Sequence, residues 1–139
     1  MRVMFAVAFM LLSMLGPALA QSEDAPWQAS VTGQIEALRA GDGKAALAFA
    51  GEEFRTRFEG RTVVFFATIV TSGYAPIALS RSHSFGQFER VSETVVLQVV
   101  NFVGHDQLLH EAIYELIDEP GEGWRVLGVV LRKVDGVGI

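Results

Sequence analysis

Three polar side chains stand out in the apolar second half of the sequence: Asn101, His110 and Tyr114. A histidine can transfer protons near neutral pH, and tyrosine and asparagine can donate hydrogen bonds to a developing oxyanion. Together in a cavity they would supply a base and two donors, or they could bind a ligand without catalysis. No aspartate or glutamate clearly joins them. The alternative is that His110 and Tyr114 are hydrogen-bonded structural residues, the usual role of buried polar groups.

Metal-binding residue types occur beside these candidates, at His105, Asp106, His110 and Glu111. We expect His105 in a tight turn and His110 in the middle of a strand, so the four converging ligands of a closed zinc site are not available. We therefore predict no metal. The sequence contains no recognisable cofactor motif either, and we predict no cofactor.

Two further groups of reactive or charged residues have simpler interpretations. Ser82-His83-Ser84 lacks the Gly-x-Ser-x-Gly elbow that would expose a nucleophilic serine. Glu52, Glu53, Arg55 and Arg57 balance one another in charge, which is typical of a solvated surface. The sequence alone therefore identifies no reaction.

The candidate residues lie in a region of three predicted strands between Glu93 and Arg132, separated by Gly104–Asp106 and Pro120–Gly123. Alternating side chains define one face of the first two strands. These are Val95, Leu97, Val99, Asn101 and Val103, followed by Leu108, His110, Ala112, Tyr114 and Leu116. A two-residue loop at His105-Asp106 would place Asn101 opposite His110 and Leu97 opposite Tyr114. We expect this face to be covered.

A helical hairpin is predicted upstream of the strands. Its first helix follows Pro26 and carries an apolar stripe with helical spacing. The stripe consists of Trp27, Val31, Ile35 and Leu38. Gly41 ends this helix, Asp42 caps a short alanine-rich second helix, and Gly51 ends that one. Helices followed by an antiparallel meander indicate an α+β fold.

Two segments between the hairpin and the strands are ambiguous. Glu52–Gly60 is compatible with a helical turn or an irregular link. Thr62–Thr71 is almost entirely apolar, and its β-branched and aromatic residues favour a buried strand. Its length also permits a buried helix, and periodicity cannot decide between them for a run that is apolar on all sides.

The other face of the predicted sheet is also largely apolar. It would contain Val96, Gln98, Val100, Phe102, Ile113 and Ile117. Because monomers rarely expose a broad apolar patch, we predict a homodimer that packs this face against its copy. A monomer kept soluble by Glu111 and Glu115 is the alternative.

The first twenty residues predict an export signal. Val3–Leu15 is an apolar run behind Arg2, and Ala18-Leu19-Ala20 predicts cleavage before Gln21. The run is short for a bilayer span, although an uncleaved anchor remains the alternative. We therefore expect a single domain over residues 21–139, located in the periplasm or secreted.

The charge of the exported chain excludes some partners. Removal of Arg2 with the leader leaves ten basic against sixteen acidic residues, a net charge of −6. This excess, without a basic stripe, argues against binding to nucleic acid or to an anionic membrane. The chain contains no cysteine, so packing alone must stabilise it.

Several short motifs, taken in order, resemble a bacterial family catalogued as domain of unknown function 4864. They are Ile35–Arg39 with Gly41-Asp42, Ala48–Ala50, Phe54, Phe58, Gly73–Ile77, Ser84–Gly86 and Gly123–Gly128. That family in turn resembles the nuclear transport factor 2-like superfamily. The resemblance implies a cone in which N-terminal helices pack on the concave face of a curved antiparallel sheet. It also implies that Thr62–Thr71 is a helix.

The resemblance leaves the function open, because the family has no established activity. We expect an exported domain that binds a small apolar ligand or a periplasmic protein partner without catalysis. Superfamily isomerases and dehydratases suggest one alternative, an enzyme with His110 as base and Tyr114 and Asn101 as donors. A structural homodimer without a ligand is the other.

Overall fold

The computed structural model describes residues 25–134, so the predicted leader, with its cleavage site after Ala20, lies outside the described residues. The helices are α1 Pro26–Arg39, α2 Gly43–Ala48, α3 Glu52–Arg57, α4 Thr62–Ile69, a π-helical turn Val70–Tyr74, and α5 Ala75–Ala78. The strands are β1 Ser82–Arg90, β2 Val95–Val103, β3 Leu109–Glu119 and β4 Gly123–Lys133. The α+β prediction is confirmed. Within these residues, no helix is long and apolar enough to cross a membrane.

Helix α1 packs on the sheet through the predicted apolar stripe. Trp27, Val31, Ile35 and Leu38 are all buried, which confirms that prediction. The indole Nε1 of Trp27 donates a hydrogen bond to Oε1 of Gln98 on β2 at 2.7 Å. One helix therefore spans the covered face, and its amphipathic pattern sets which side it buries.

The short helix α2 is capped as predicted, since the backbone N of Ala45 donates to Asp42 Oδ1 at 3.0 Å. Behind it the Phe49 ring packs directly on Gly33 of α1, where an added Cβ would lie 2.4 Å from Phe49 Cζ. The chain then touches the sheet in a parallel bridge between Ala50 and Val126. The first contact holds the end of α2 against α1, and the second fixes the hairpin against β4.

The apolar segment after α3 is a helix, as the resemblance implied, and the strand favoured by residue propensity is wrong. It is not a buried helix either. Phe65 is buried, but Val63 is 81% exposed and Val64 41% exposed. Tertiary packing against α2 overrides β-propensity here. The turn that follows α4 is kinked, because Gly73 within it has a non-helical φ of +104°.

The four strands form an antiparallel sheet in the order β1-β2-β3-β4, which confirms the predicted meander. The predicted register between β2 and β3 is wrong. Phe102, not Asn101, pairs with His110, and Gln98, not Leu97, pairs with Tyr114.

The cause of the register error is the loop, which spans Gly104–Leu108 and is longer than two residues. The backbone N of Leu108 donates to Asp106 Oδ1 at 3.0 Å, and the backbone N of Gly104 donates to Leu108 O at 2.8 Å. Gln107 has φ +70° in this turn. A shift of one residue moves every side chain of β2 to the opposite face relative to β3.

The covered face therefore differs from the predicted one in β2 alone. Its buried members are Val96, Gln98, Val100, Phe102, Ala112, Tyr114 and Leu116. The residues expected to form an apolar dimer surface in β2 are thus part of the core, on the face opposite Ile113 and Ile117. The uncovered face carries the other apolar residues of β2, including Leu97 and Val99, so the strand is apolar on both sides.

Candidate functional site

The three predicted site residues do not converge. Asn101 is exposed and pairs with Glu111 on the uncovered face of the sheet. His110 and Tyr114 share the covered face, but four residues of strand separate them by about 13 Å. His110 is half-buried beside the loop, whereas Tyr114 is buried in the centre. The prediction that all three share one face is therefore wrong for Asn101.

The candidate metal ligands have other roles in the described chain. Asp106 shapes its loop, and the hydrogen bond that its carboxylate accepts from the Leu108 backbone lowers the pKa of that carboxyl. Within residues 25–134, no three histidine, cysteine, aspartate or glutamate side chains are grouped to hold a metal ion.

A cavity of about 360 Å³ lies between the helices and the sheet, around Tyr114. Helices α1, α3, α4 and α5 contribute most of its apolar wall. The main apolar contributors are Leu38, Phe54, Phe58, Phe65, Ile69 and Ile77. The sheet closes the other side with Tyr114 and Val126–Val129. Sequence analysis placed Tyr114 at such a cavity but did not identify these helix residues.

The segment from α4 to α5 forms the roof of this cavity. Phe65 of α4 packs on Phe58 with ring centroids 5.2 Å apart. At the other end, the hydroxyl of Tyr74 donates to the carbonyl O of Val129 on β4 at 2.8 Å. The roof is thus attached to the sheet by one side-chain hydrogen bond next to the π-helical turn.

Tyr114 is the polar group that distinguishes the cavity. Its side chain lines the space and the residue is 1% exposed. Within residues 25–134, its hydroxyl has no hydrogen-bond partner. Burial raises the pKa of this phenol well above its usual value, so the group stays protonated. It is a neutral O–H donor in an apolar space.

The other polar residues of the lining bond to the protein or lie near the surface, although Oε1 of Gln34 accepts no hydrogen bond from residues 25–134. The Gln34 amide Nε2 donates to the Ala46 carbonyl at 3.1 Å, and Thr68 Oγ1 donates to the Val64 carbonyl at 2.7 Å. The Arg57 side chain is 58% exposed and lies 3.8 Å from Glu53. None of the three resembles Tyr114 in combining deep burial with a free hydroxyl.

Sequence analysis missed a polar cluster around His83, which it dismissed with its flanking serines. Nδ1 of His83 accepts from Arg39 Nη2 at 3.2 Å, and Nε2 lies 3.1 Å from Thr32 Oγ1. Since arginine can only donate, Nδ1 is unprotonated and Nε2 carries the proton. Burial, and then Arg39, lower the pKa of His83. The cluster joins α1 to β1. Its members are far apart in the sequence, so their spacing could not reveal that His83 contacts α1.

Arg55 is also not the solvated surface residue that was predicted. Its Nη2 lies 3.1 Å from Glu119 Oε1, with side-chain exposures of 25% and 12%. The other carboxylate oxygen of Glu119 accepts from the Glu52 backbone N at 2.8 Å. Helix α3 is thereby attached to the end of β3, at one side of the cavity.

The described fold lies within a single family match. Residues 20–139 match the family model described as Domain of unknown function (DUF4864). The chain belongs to this family. The resemblance to this family noted from the short motifs is thus confirmed over residues 20–139. No curated protein and no solved structure shows significant similarity to the chain.

Proposed function

We propose that this DUF4864 domain is a non-catalytic binding module that encloses a small apolar molecule between its helices and its sheet. The observation that carries the proposal is the cavity of about 360 Å³ with a mainly apolar wall. Its volume is within the range of small-molecule pockets, which are typically about 300–1,000 Å³. Phenylalanine, leucine and isoleucine side chains favour a ligand that gains from leaving water.

The catalytic alternative has less support. A base and its donors must come within hydrogen-bond reach of one substrate atom. His110 lies about 13 Å along the strand from Tyr114, and Asn101 points away on the other face. Tyr114 alone can orient a ligand, but it is a poor base because its hydroxyl stays protonated.

The proposal extends to fold and location. The four-stranded antiparallel sheet with helices on one face is compatible with a nuclear transport factor 2-like cone. The apolar run of residues 3–15 supports export, so the ligand would be met in the periplasm or outside the cell.

To test this proposal, the purified domain is titrated with α-methylstyrene, a small uncharged probe, and the heat of binding is measured by isothermal titration calorimetry. Ile69→Trp fills the cavity from α4, and Val63→Trp makes a similarly large addition on the exposed side of the same helix. We expect the wild-type protein and Val63→Trp to bind, and Ile69→Trp to bind at least about tenfold more weakly. Circular dichroism verifies that both variants fold.

Equal affinity in Ile69→Trp, or no heat of binding to the wild type from either α-methylstyrene or its ketone analogue acetophenone, would refute the cavity as the binding site. Native mass spectrometry of the protein from its own source adds an independent measurement. A bound mass that disappears in Ile69→Trp and persists in Val63→Trp is the expected result.

A homodimer is the second candidate, through a face that keeps Ile113 and Ile117 of the predicted surface but not its β2 residues. The uncovered sheet face presents Ile113, 42% exposed, and its cross-strand neighbour Val130, 68% exposed. Glu111 and Arg132 are paired on the same face at 2.7 Å. A broad apolar strip of this kind favours association. Sedimentation at micromolar concentration tests it, with Ile113→Lys expected to shift the protein to monomer.

A further inference from the structure

We infer that the ligand of this cavity is an uncharged molecule with one hydrogen-bond acceptor, such as a ketone, aldehyde or ester, which accepts a hydrogen bond from the hydroxyl of Tyr114. This inference rests on the proposed binding function and specifies the chemical class of its ligand. Nothing in the fold requires a hydroxyl at this position, because its oxygen supports no other group of residues 25–134.

The hydroxyl of Tyr114 needs a hydrogen-bond partner. A buried hydroxyl without a partner loses its hydrogen bonds to water without replacement, so buried polar groups are nearly always bonded. Tyr74 follows this rule at the opposite side of the same cavity, where its hydroxyl donates to Val129. Tyr114 makes no such bond to residues 25–134, and its hydroxyl is open to the cavity rather than sealed by protein. Its partner is therefore expected to come from whatever occupies the cavity.

The hydroxyl of Tyr114 is the donor of this hydrogen bond. Tyr114 stays protonated because burial disfavours the phenolate, so it offers a proton to its occupant. The matching ligand group is an acceptor. A pure hydrocarbon would contact the apolar wall but leave the hydroxyl without a hydrogen bond. A site that contains a polar group binds such a ligand less tightly.

The cavity favours a ligand without charge. One neutral donor in an apolar wall cannot replace the hydration of a carboxylate, which would be costly to bury unpaired. Arg57, the cationic residue of the lining, has a side chain that is 58% exposed, so it lies toward solvent. An uncharged acceptor at Tyr114 therefore fits the wall better than an anion.

The test compares two probes of nearly identical shape, acetophenone and α-methylstyrene, in which a C=O replaces a C=CH2 group. In each protein we divide the dissociation constant of α-methylstyrene by that of acetophenone. The measured quantity is this ratio in the wild-type protein divided by the same ratio in Tyr114→Phe. Dividing the ratios cancels the different hydration of the two probes. We expect the ratio to be about five- to tenfold larger in the wild type than in Tyr114→Phe, which is the size of one neutral buried hydrogen bond.

Ser30→Ala is the control, because it removes a hydroxyl that donates to the Trp124 carbonyl and does not line the cavity. Its ratio is expected to equal that of the wild type. Benzoate, similar in shape to acetophenone but anionic, is expected to bind more weakly than acetophenone.

The outcomes separate this inference from the function beneath it. If neither probe binds the wild type, the binding function itself fails. If both probes bind and Tyr114→Phe leaves the ratio unchanged, the binding function stands and the assigned ligand class is wrong, with a trapped water as the partner of Tyr114. Tighter binding of benzoate than of acetophenone would also overturn the inference in favour of an anion.

Discussion

Gln98 and Tyr114 face each other across neighbouring strands of the covered face, and they meet opposite environments. Both are buried, at 0% and 1% exposed. The Gln98 carbonyl oxygen accepts from Trp27 at 2.7 Å and from Gln28 at 3.1 Å. Its amide nitrogen donates to the carbonyl O of Gly86 at 2.9 Å. The Tyr114 hydroxyl, in contrast, has no partner within residues 25–134.

The contrast separates a polar group that holds the fold from one that is available to a ligand. The bonds of Gln98 connect helix α1 to β2 and satisfy a carbonyl at the irregularity of β1 between Phe85 and Phe88. Its amide replaces hydrogen bonds that a regular strand pair would make. The Tyr114 side chain lines the cavity, and its hydroxyl connects no other group of residues 25–134. Substitution at the two positions should therefore affect different properties.

The largest expected effect is that of Gln98→Leu. It leaves the Trp27 indole N–H and the Gly86 carbonyl buried without partners, at about 1–3 kcal/mol for each group. We expect the free energy of unfolding to fall by about 3–5 kcal/mol, measured by urea denaturation.

The control for this change is Asn101→Leu, the same replacement of an amide by leucine at an exposed position of the same strand. Its effect should be within about 0.5 kcal/mol. If the two variants were equally stable, the hydrogen bonds of Gln98 would not be holding the fold together, and the contrast with Tyr114 would fail.

A smaller effect separates the two tyrosines of the cavity. Tyr74→Phe removes the hydrogen bond to Val129 and should reduce the free energy of unfolding by about 1 kcal/mol. Tyr114→Phe removes a hydroxyl without a partner and should leave the stability of the ligand-free protein unchanged or slightly higher. Urea midpoints of both variants provide the measurement, and the reverse order would show that the Tyr114 hydroxyl is bonded in solution.

The smallest effect concerns His83, whose hydrogen bonds depend on its protonation. Its pKa is lowered in the folded protein by burial and then by Arg39, with Glu36 of the same helix opposing them. The neutral form is thus favoured by folding, and below the unfolded pKa of about 6.5 the unfolded chain binds more protons. The contribution of His83 is complete above pH 6.5 and is lost as the pH falls through the lowered folded pKa.

Urea midpoints at pH 8 and pH 5 measure this loss. We expect His83→Gln to reduce the difference between the two midpoints, whereas His105→Gln, in the exposed loop, should retain it. An unchanged difference in His83→Gln would mean that the Arg39 contact does not respond to protonation.

The sequence predicted an element of the fold correctly where its residue pattern was compatible with only one arrangement. The stripe from Trp27 to Leu38 has a single apolar side, so the buried face of α1 was correct. The cap at Asp42 and the order of the strands followed from local chemistry in the same way. Strand β2 is apolar on both sides, so alternation could not identify its covered face, and the wrong one was selected.

The candidate site was less predictable than the fold. Tyr114 was placed correctly on the covered face because Glu111 and Glu115 mark the opposite face of its own strand. Asn101 was placed wrongly because its position depends on the loop of residues 104–108, whose length is determined by the Asp106 hydrogen bond to Leu108. The helix residues of the cavity wall carry no signal of their own, since an apolar side chain looks the same whether it borders a space or fills one.

The sequence by itself determined the family, the order of the elements, the buried side of α1 and the position of Tyr114 on its strand. These depend on periodicity, capping and motifs, which act over a few neighbouring residues. Only the tertiary structure decided the register of β2, the helical state of Thr62–Ile69 and the space around Tyr114. Those features depend on which contacts between distant parts of the chain are the most favourable. A local sequence pattern carries no information about the free energies of such contacts.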